Sequence, residues 1–339
     1  MNLAEMFYKV KEHISTVDFN NLWEGFRPLK YALYNDKECY FNGKYIPKTE
    51  EFLANTAINY NGEMIAIWNM TDEIDPIVMT SKMIHEMFHG YQSLKKESRF
   101  PNEFDAVLNY KYIPQNLGIK LLENKLIVEL IESFDQEKFD YLLSLMKYRY
   151  THFNYEFMYE LKIEQIEGSA NNVELNALKQ LSKMEYQKKL KRMKENILKP
   201  ENLFPIRVIS YDIGALRMQI LKDNNIKFNE RFNDMLYIEL LLMDVEEASN
   251  FDIDVINEFV DKFNSKKEST IKDALEKNEI IVENTNLLGF NVYDALCVDN
   301  YIITKYFVVY GNESTHTVEY GDFVVELNDG TSINKIYKI

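Results

Sequence analysis

Apolar residues recur every three or four positions over residues 3 to 15. Leu3, Met6, Phe7, Val10 and Ile14 form one stripe there and predict an N-terminal helix. Residues 30 to 47 read as strand, with a hairpin signal at Asn42-Gly43. A clearer hairpin follows, in which residues 56 to 60 and 63 to 68 flank Asn61-Gly62, the pair that suits a two-residue type I′ turn. Asp75-Pro76 then opens a helix, with Asp75 as N-cap and Pro76 in the first turn. That helix runs to about Leu94 and turns Ile77, Met83, Ile84, Met87, Phe88 and Tyr91 inward.

Residues 101 to 118 hold Pro101, Pro114 and Gly118 and read as a loop with short turns. From about 119 to 198 the pattern is strongly helical, and no proline interrupts it before Pro200. Its last part, residues 179 to 199, is rich in lysine and predicts a solvated helix. A break spans residues 200 to 207, and helices resume from 208 to 278. Near 279 the period changes to that of strands, at 280–282, 290–298, 301–310, 315–320 and 323–327. Gly311-Asn312, Gly321-Asp322 and Asp329-Gly330 supply turns between them. The expected fold is α+β and mostly helical, with a small N-terminal β-sheet and a C-terminal antiparallel β unit. Three parts follow: an N-terminal α/β part (1–100), a helical part (101–278) and a β-rich unit (279–339).

Composition narrows the class. The 339 residues are 46% hydrophobic, with 7 prolines and 11 glycines, which suits a folded chain rather than a disordered one. A formal charge of −15 argues against nucleic acid and anionic membranes as partners. Cys39 and Cys297 match no metal or redox motif, and a reducing compartment fits them. The segment MNLAEMFYKVKEH has no apolar core of signal-peptide length, and no window approaches eighteen uninterrupted apolar residues. A cytoplasmic location is expected.

The chemistry concentrates in the helix opened by Asp75. Residues 85 to 89 read His85-Glu86-Met87-Phe88-His89, an H-E-x-x-H pentapeptide. Two imidazoles four residues apart lie one above the other on one helical face, so both can bind one metal ion. Glu86 can reach a water on that metal and act as general base. The chain has 5 histidines. With so few, a chance match is roughly a one-in-a-hundred event, so the segment is weighed as a site.

A catalytic zinc usually takes three protein ligands, and His13, His152 and His316 stand in no metal-ligand motif. Residues 163 to 177 offer carboxylates instead. Ile163, Ile166, Ala170, Val173 and Ala177 form an apolar stripe, and Glu164, Glu167, Asn171 and Glu174 form a polar one beside it. By spacing alone such a stripe is more often a solvated face than a metal site.

HEMFHGYQ followed downstream by IEGSA resembles the gluzincin metallopeptidases. In these, the two histidines of H-E-x-x-H and a glutamate from a later helix bind zinc. That glutamate often stands in an E-G-x-A context, which Glu167-Gly168-Ser169-Ala170 matches. The resemblance therefore implies a zincin-like core and a Zn2+ site of His85, His89 and Glu167, with Glu164 as the rival third ligand. His89 and Glu167 stand 78 positions apart, longer than in many members, and an inserted helical segment is implied. Gly168 would let the H-E-x-x-H helix approach closely. Ser210-Tyr211-Asp212-Ile213-Gly214-Ala215 is similar to the Y-x-x-G-A segment of the same enzymes, which implies that Tyr211 stabilises the oxyanion. A buried core tyrosine is the plain alternative for it. Asn171 stands four residues after Glu167, where thermolysin-like members carry an aspartate that holds the first histidine. It is expected to accept from the free nitrogen of His85. Residues 63 to 68 are the expected edge strand for an extended peptide. The exopeptidase signature G-x-M-E-N is absent, because the nearest text is Gly62-Glu63-Met64-Ile65-Ala66.

What the resemblance implies is a zinc metallopeptidase acting on a peptide or protein substrate, with Glu86 as general base and Tyr211 at the oxyanion. A zinc hydrolase of a non-peptide amide or ester, and a catalytically silent zincin-fold binding protein, are the other two readings. The intact Glu86 weighs against the silent one.

Overall fold

The computed structural model describes residues 2–339 except 254, 255, 294 and 313, and of residue 329 the backbone alone. Asn2 caps helix α1 (Leu3–Ile14), accepting from the Glu5 amide while Glu5 reaches back to the Asn2 amide. Leu3, Met6, Phe7 and Val10 are buried on its inner face. A four-residue α2 (Phe19–Leu22) leads to strands β1 (Lys30–Tyr34), β2 (Glu38–Phe41), β3 (Lys44–Pro47), β4 (Thr56–Tyr60) and β5 (Glu63–Asn69). Both expected hairpin turns form: Asn42-Gly43 and Asn61-Gly62 each carry two positive φ angles, as a type I′ turn requires.

These strands make one sheet in the order β3-β2-β1-β5-β4. Residues 63 to 68 are therefore not an edge. β5 lies between β1, with which it runs parallel, and β4, with which it runs antiparallel. The edge is β4. The reason is in the sequence: β5 holds Ile65, Ala66 and Ile67 buried in a row, the continuous apolar run of an interior strand, whereas β4 is half-exposed throughout.

Helix α3 (Pro76–Leu94) crosses this sheet. The Asp75 carboxylate accepts from the Ile77 and Val78 amides, and Pro76 occupies the first turn. Met83, Ile84, Met87, Phe88 and Tyr91 are buried and Ile77 partly so. Phe88 packs against Trp23 and Phe26. A Cβ on Gly90 would stand 2.5 Å from Leu29 Cδ1 and 3.2 Å from Ala57 Cβ, so glycine is what lets α3 lie close to the edge strand.

The expected loop over 101–118 is instead α4 (Glu103–Asn109) followed by the start of α5 (Pro114–Glu132). Asn102 caps α4 by accepting from the Asp105 amide. The two prolines bound these helices rather than break them, and Pro114 sits in the first turn of its own. The helical run continues through α6 (Gln136–His152), α7 (Asn154–Ile163), a π-helical turn at Glu164–Gly168, α8 (Ser169–Leu181) and α9 (Lys183–Ile197). After a 3-10 turn at Pro200–Leu203 comes α10 (Ile206–Asp223). Residues 224–253 are mostly irregular apart from the single turn α11 (Glu239–Leu242), contrary to the expected helix. The segment still contributes core: Leu236, Tyr237 and Ile238 are buried.

Helix α12 (Asn257–Lys277) ends at Asn278, whose left-handed backbone closes it. The C-terminal unit is an antiparallel sheet of β6 (Ile280–Phe290), β7 (Leu296–Val298), β8 (Tyr301–Thr304), β9 (Phe307–Gly311), β10 (His316–Tyr320), β11 (Phe323–Asp329) and β12 (Ser332–Lys338). Its order is β10-β9-β6-β12-β11-β8-β7. The expected strand at 301–310 breaks in two at Tyr306, whose φ is 70°. Strand β12 was not expected; it pairs with β11 across the Gly330 turn. The fold is α+β as expected, with a small N-terminal sheet and a C-terminal antiparallel sheet, and about half of the residues are helical, fewer than the pattern predicted. No helix among the described residues is long and apolar enough to cross a membrane.

Candidate metal centre

Helix α3 presents His85 and His89 on one face, and their Nε2 atoms lie 3.0 Å apart. The π-turn supplies the third group: Glu167 Oε2 is 3.3 Å from His89 Nε2. One donor atom from each of His85, His89 and Glu167 falls within 4.8 Å of the others. All three line a cavity of about 480 Å3, together with Glu86, Arg207 and Tyr211. Asn55, Thr56 and Ala57, at the start of edge strand β4, form its opposite wall.

Glu164 is not in this cavity. In an α-helix, residues three apart differ by about 60° in direction, and a π-turn swings them further apart. Glu164 accordingly points into the interior. It is fully buried and accepts from Lys120 at 3.0 Å, Arg217 at 2.8 Å and the Tyr237 hydroxyl at 2.6 Å. Every oxygen of the rival ligand is thus committed elsewhere.

Gly168 serves a contact different from the one expected. A Cβ there would stand 2.8 Å from Gly214 Cα, and one on Gly214 would stand 2.7 Å from Glu164 Cβ. The close approach is between the π-turn and α10, the helix of Tyr211, not between the π-turn and α3.

The outer nitrogens of the two imidazoles face Gln92 and Glu174 rather than Asn171. Gln92, one turn beyond His89 on the same face, accepts from His89 Nδ1 through Oε1 at 2.8 Å. Its amide nitrogen donates to the Ile166 carbonyl and to Ser169 Oγ, tying α3 to the helix that carries Glu167. His85 Nδ1 faces Glu174 Oε2 at 3.5 Å, and Glu174 in turn pairs with buried Lys189 at 2.5 Å. Asn171 does not take the expected role: among the described residues no hydrogen bond joins it to His85. Seven residues on from Glu167 is two turns and within about 20° of the same direction, whereas four residues on is about 40° away. Glu174 is also longer by one methylene, so it spans the gap and Asn171 does not.

The donor set fits a small cation. Gln92 accepts from His89 Nδ1, and the Glu174 carboxylate 3.5 Å from His85 Nδ1 favours a proton there by its charge, an arrangement that leaves lone pairs on both Nε2 atoms. Two lone pairs 3.0 Å apart, with a carboxylate oxygen 3.3 Å from one of them, repel one another unless a positive charge lies among them. Ligand atoms around a tetrahedral zinc stand roughly 3.3 Å apart, close to these separations. Without such an ion a proton takes its place. Burial opposes charge on His89, but the hydrogen bond to Glu167 and the charges of Glu167 and Glu86 push its pKa up to about 9. Burial raises Glu167 too, and His89 and His85 outweigh it, drawing that carboxyl down to about 2.

No protein-family model, no curated protein and no solved structure matches this chain at a significant level. What the centre can do therefore rests on its own geometry. Glu86 is buried, and burial raises its pKa above the ordinary carboxylate value despite the two histidines that lower it. Tyr211 accepts a hydrogen bond from Arg207 Nη1, one turn before it on α10, which leaves its own hydroxyl proton free to be donated. Burial and the Glu167 charge raise the Tyr211 pKa well above its usual value, so it stays a phenol. Arg207 is fixed by Glu103 Oε1 at 2.9 Å and lies over the Tyr211 ring. Its signal in the sequence was its position four residues before Tyr211, the same spacing rule that places Gln92 near His89.

Proposed function

We propose that the chain is a zinc-dependent metallopeptidase of gluzincin type with a zincin-like core. The observation that carries this reading is the convergence of His85 Nε2, His89 Nε2 and a Glu167 oxygen in one cavity with Glu86 and Tyr211. His85, His89 and Glu167 would hold the zinc. Bound there, zinc supplies Lewis acidity, which makes water a nucleophile at neutral pH and polarises a carbonyl.

The chain's own groups do the rest. Glu86, with a raised pKa in a partly dry pocket, takes the proton of the attacking water and returns it to the leaving amine nitrogen. Tyr211 donates its free hydroxyl proton to the oxygen of the tetrahedral intermediate, and Arg207 holds the ring in place for this. Gln92 and Glu174 fix the imidazole tautomers. An extended substrate pairs with the free edge of β4, whose first residues line the cavity, so that its scissile carbonyl lies over the α3 face.

Metal analysis of the purified chain, followed by cleavage of a mixed peptide library, tests the reading. One zinc per chain and zinc-dependent peptide cleavage are expected. Zinc without peptide cleavage, but with hydrolysis of simple amides or esters, would replace peptidase by the non-peptide hydrolase. Zinc with no hydrolysis at all would leave a binding protein.

A further inference from the structure

A second cavity of about 230 Å3 opens between α4, α12 and the β6–β7 connection of the C-terminal sheet. It shares Arg207 with the metal cavity, and α4 walls both, through Glu103 on one side and Ala106 and Val107 on the other. The guanidinium of Arg207 lies between two rings, Tyr211 of the first cavity and Tyr293 of the second, at 5.2 and 5.5 Å. A volume of 230 Å3 is less than a whole small-molecule ligand needs, so this space suits one group of a longer molecule.

Its charge is unlike that of the rest of the chain. In a molecule of net charge −15, the described lining residues include Lys111, Arg207 and Lys267 and no carboxylate. Lys267 carries the argument. It is 9% exposed, yet no hydrogen bond or ion pair holds its ammonium among the described residues. The other buried lysines do have anionic partners: Lys120 has Glu160 and Glu164, and Lys189 has Glu174. Among the described residues Lys267 lies against the faces of Phe263 and Tyr112, at 4.5 and 5.9 Å, and the Cys297 and Glu268 groups act on it through space without pairing. Aromatic faces hold a cation without using its N–H donors. Burial lowers the Lys267 pKa, the mark of a charge whose desolvation is not repaid. A buried cation with no ion pair among the described residues, at the wall of a cavity, is poised for an anion that comes from outside.

We propose that this cavity is a subsite for the carboxylate of an acidic residue in the substrate, with Lys267 as its principal contact and Lys111 and Arg207 adding positive field. The substrate class follows, resting on the peptidase reading above: peptides with glutamate or aspartate a fixed few residues from the scissile bond. Arg207 then joins the two cavities, orienting Tyr211 on one side and the acidic residue on the other.

Two measurements test the subsite, the first independent of catalysis. Blocked pentapeptides with central glutamate or glutamine are titrated by calorimetry into the metal-free chain and into Lys267→Met. Wild type should bind the glutamate peptide at least ~10-fold tighter than the glutamine peptide, and in Lys267→Met the ratio should fall to near one. Equal binding by wild type, or an unchanged ratio in the variant, overturns the proposal. Lys267→Met should melt no lower than wild type, because it removes a buried charge that has no ion pair among the described residues. A melting temperature several degrees lower would make Lys267 a structural cation and also overturn it. In the second measurement the zinc-loaded chain is given a mixed peptide library. Enrichment of acidic residues at one offset from the cut supports the subsite, and cleavage without that preference refutes it while leaving the peptidase intact. No cleavage, with the binding ratio preserved, refutes the peptidase and leaves the subsite.

Discussion

Glu86 and the metal ligands adjoin in sequence but act in different ways, and single substitutions separate them. Glu86→Gln keeps the volume and the hydrogen-bonding oxygen while removing the base. It should retain near-stoichiometric zinc and lose activity by about 10²-fold or more, measured as kcat on a peptide that the wild type cleaves. Turnover retained with zinc intact would assign the proton transfer to another group. The histidine partners give a second test at the same scale. Glu174→Gln should weaken zinc binding by about 10–100-fold in competition with a chelator, because the His85 imidazole loses the anion behind it. The variant also strands the Lys189 ammonium, so its melting temperature is recorded alongside. Asn171→Leu should leave zinc affinity equal to wild type. A ten-fold loss in Asn171→Leu, with Glu174→Gln unaffected, would reverse this assignment.

The elements explain why some of these groups were legible in the sequence and others not. Two-residue turns and helix caps are local, and Asn42-Gly43, Asn61-Gly62 and Asp75-Pro76 all form as their chemistry dictates. His85 and His89 meet for the same reason, since an α-helix fixes residues four apart. The π-turn at Glu164–Gly168 is different, because an extra residue in a turn leaves no mark in the hydrophobic period. It turns Glu164 inward and Glu167 toward the histidines. Strand order is non-local, because β5 becomes interior by returning beside β1, although its run of Ile65, Ala66 and Ile67 carried the mark of an interior strand. Helix α4 was hidden by its length of seven residues between prolines, although Asn102 with Asp105 three residues later carried a cap signal. The π-turn also makes a prediction of its own. The added Cβ of Gly168→Ala meets backbone, Gly214 Cα at 2.8 Å, and backbone cannot rotate aside. The substitution should cost about 1–3 kcal/mol of stability in denaturant unfolding. It should also weaken zinc binding, since α10 and the π-turn separate at Glu167. Full stability in Gly168→Ala would mean that the two helices part without cost.

Across the whole molecule, the centre rests on an interior that is ionic. Glu123, Glu160 and Glu164 interleave with Lys120, Arg149 and Arg217, all of them buried. Arg149 bonds Glu160 at 2.6 Å, Lys120 bonds Glu160 at 2.8 Å, and Arg217 bridges Glu123 and Glu164. Burial raises the pKa of Glu160 and of Glu164, but the cations win: Arg149 and Lys120 draw Glu160 from its ordinary 4.5 to about 2, and Arg217 and Lys120 lower Glu164. A carboxyl whose folded pKa lies below its unfolded one binds fewer protons in the folded state. Its contribution to stability is therefore complete above the unfolded pKa and is lost as pH falls through the folded one. For Glu160 that window runs from about 4.5 down to about 2. The metal-free chain, kept in chelator so that zinc loss adds nothing, should hold a steady melting temperature above pH ~5 and lose it steeply between those limits. Because these charges are buried, added salt should shift the acid limb little. Glu160→Gln should lower stability at pH 7 by about 3 kcal/mol or more, since Arg149 and Lys120 each lose an anion in the interior. The same substitution should flatten the acid limb, because one of the groups that drives it is gone. An acid limb in Glu160→Gln as steep as in wild type would mean that the titration driving acid unfolding lies outside this cluster, and the core behind the π-turn would then be held by packing rather than by charge.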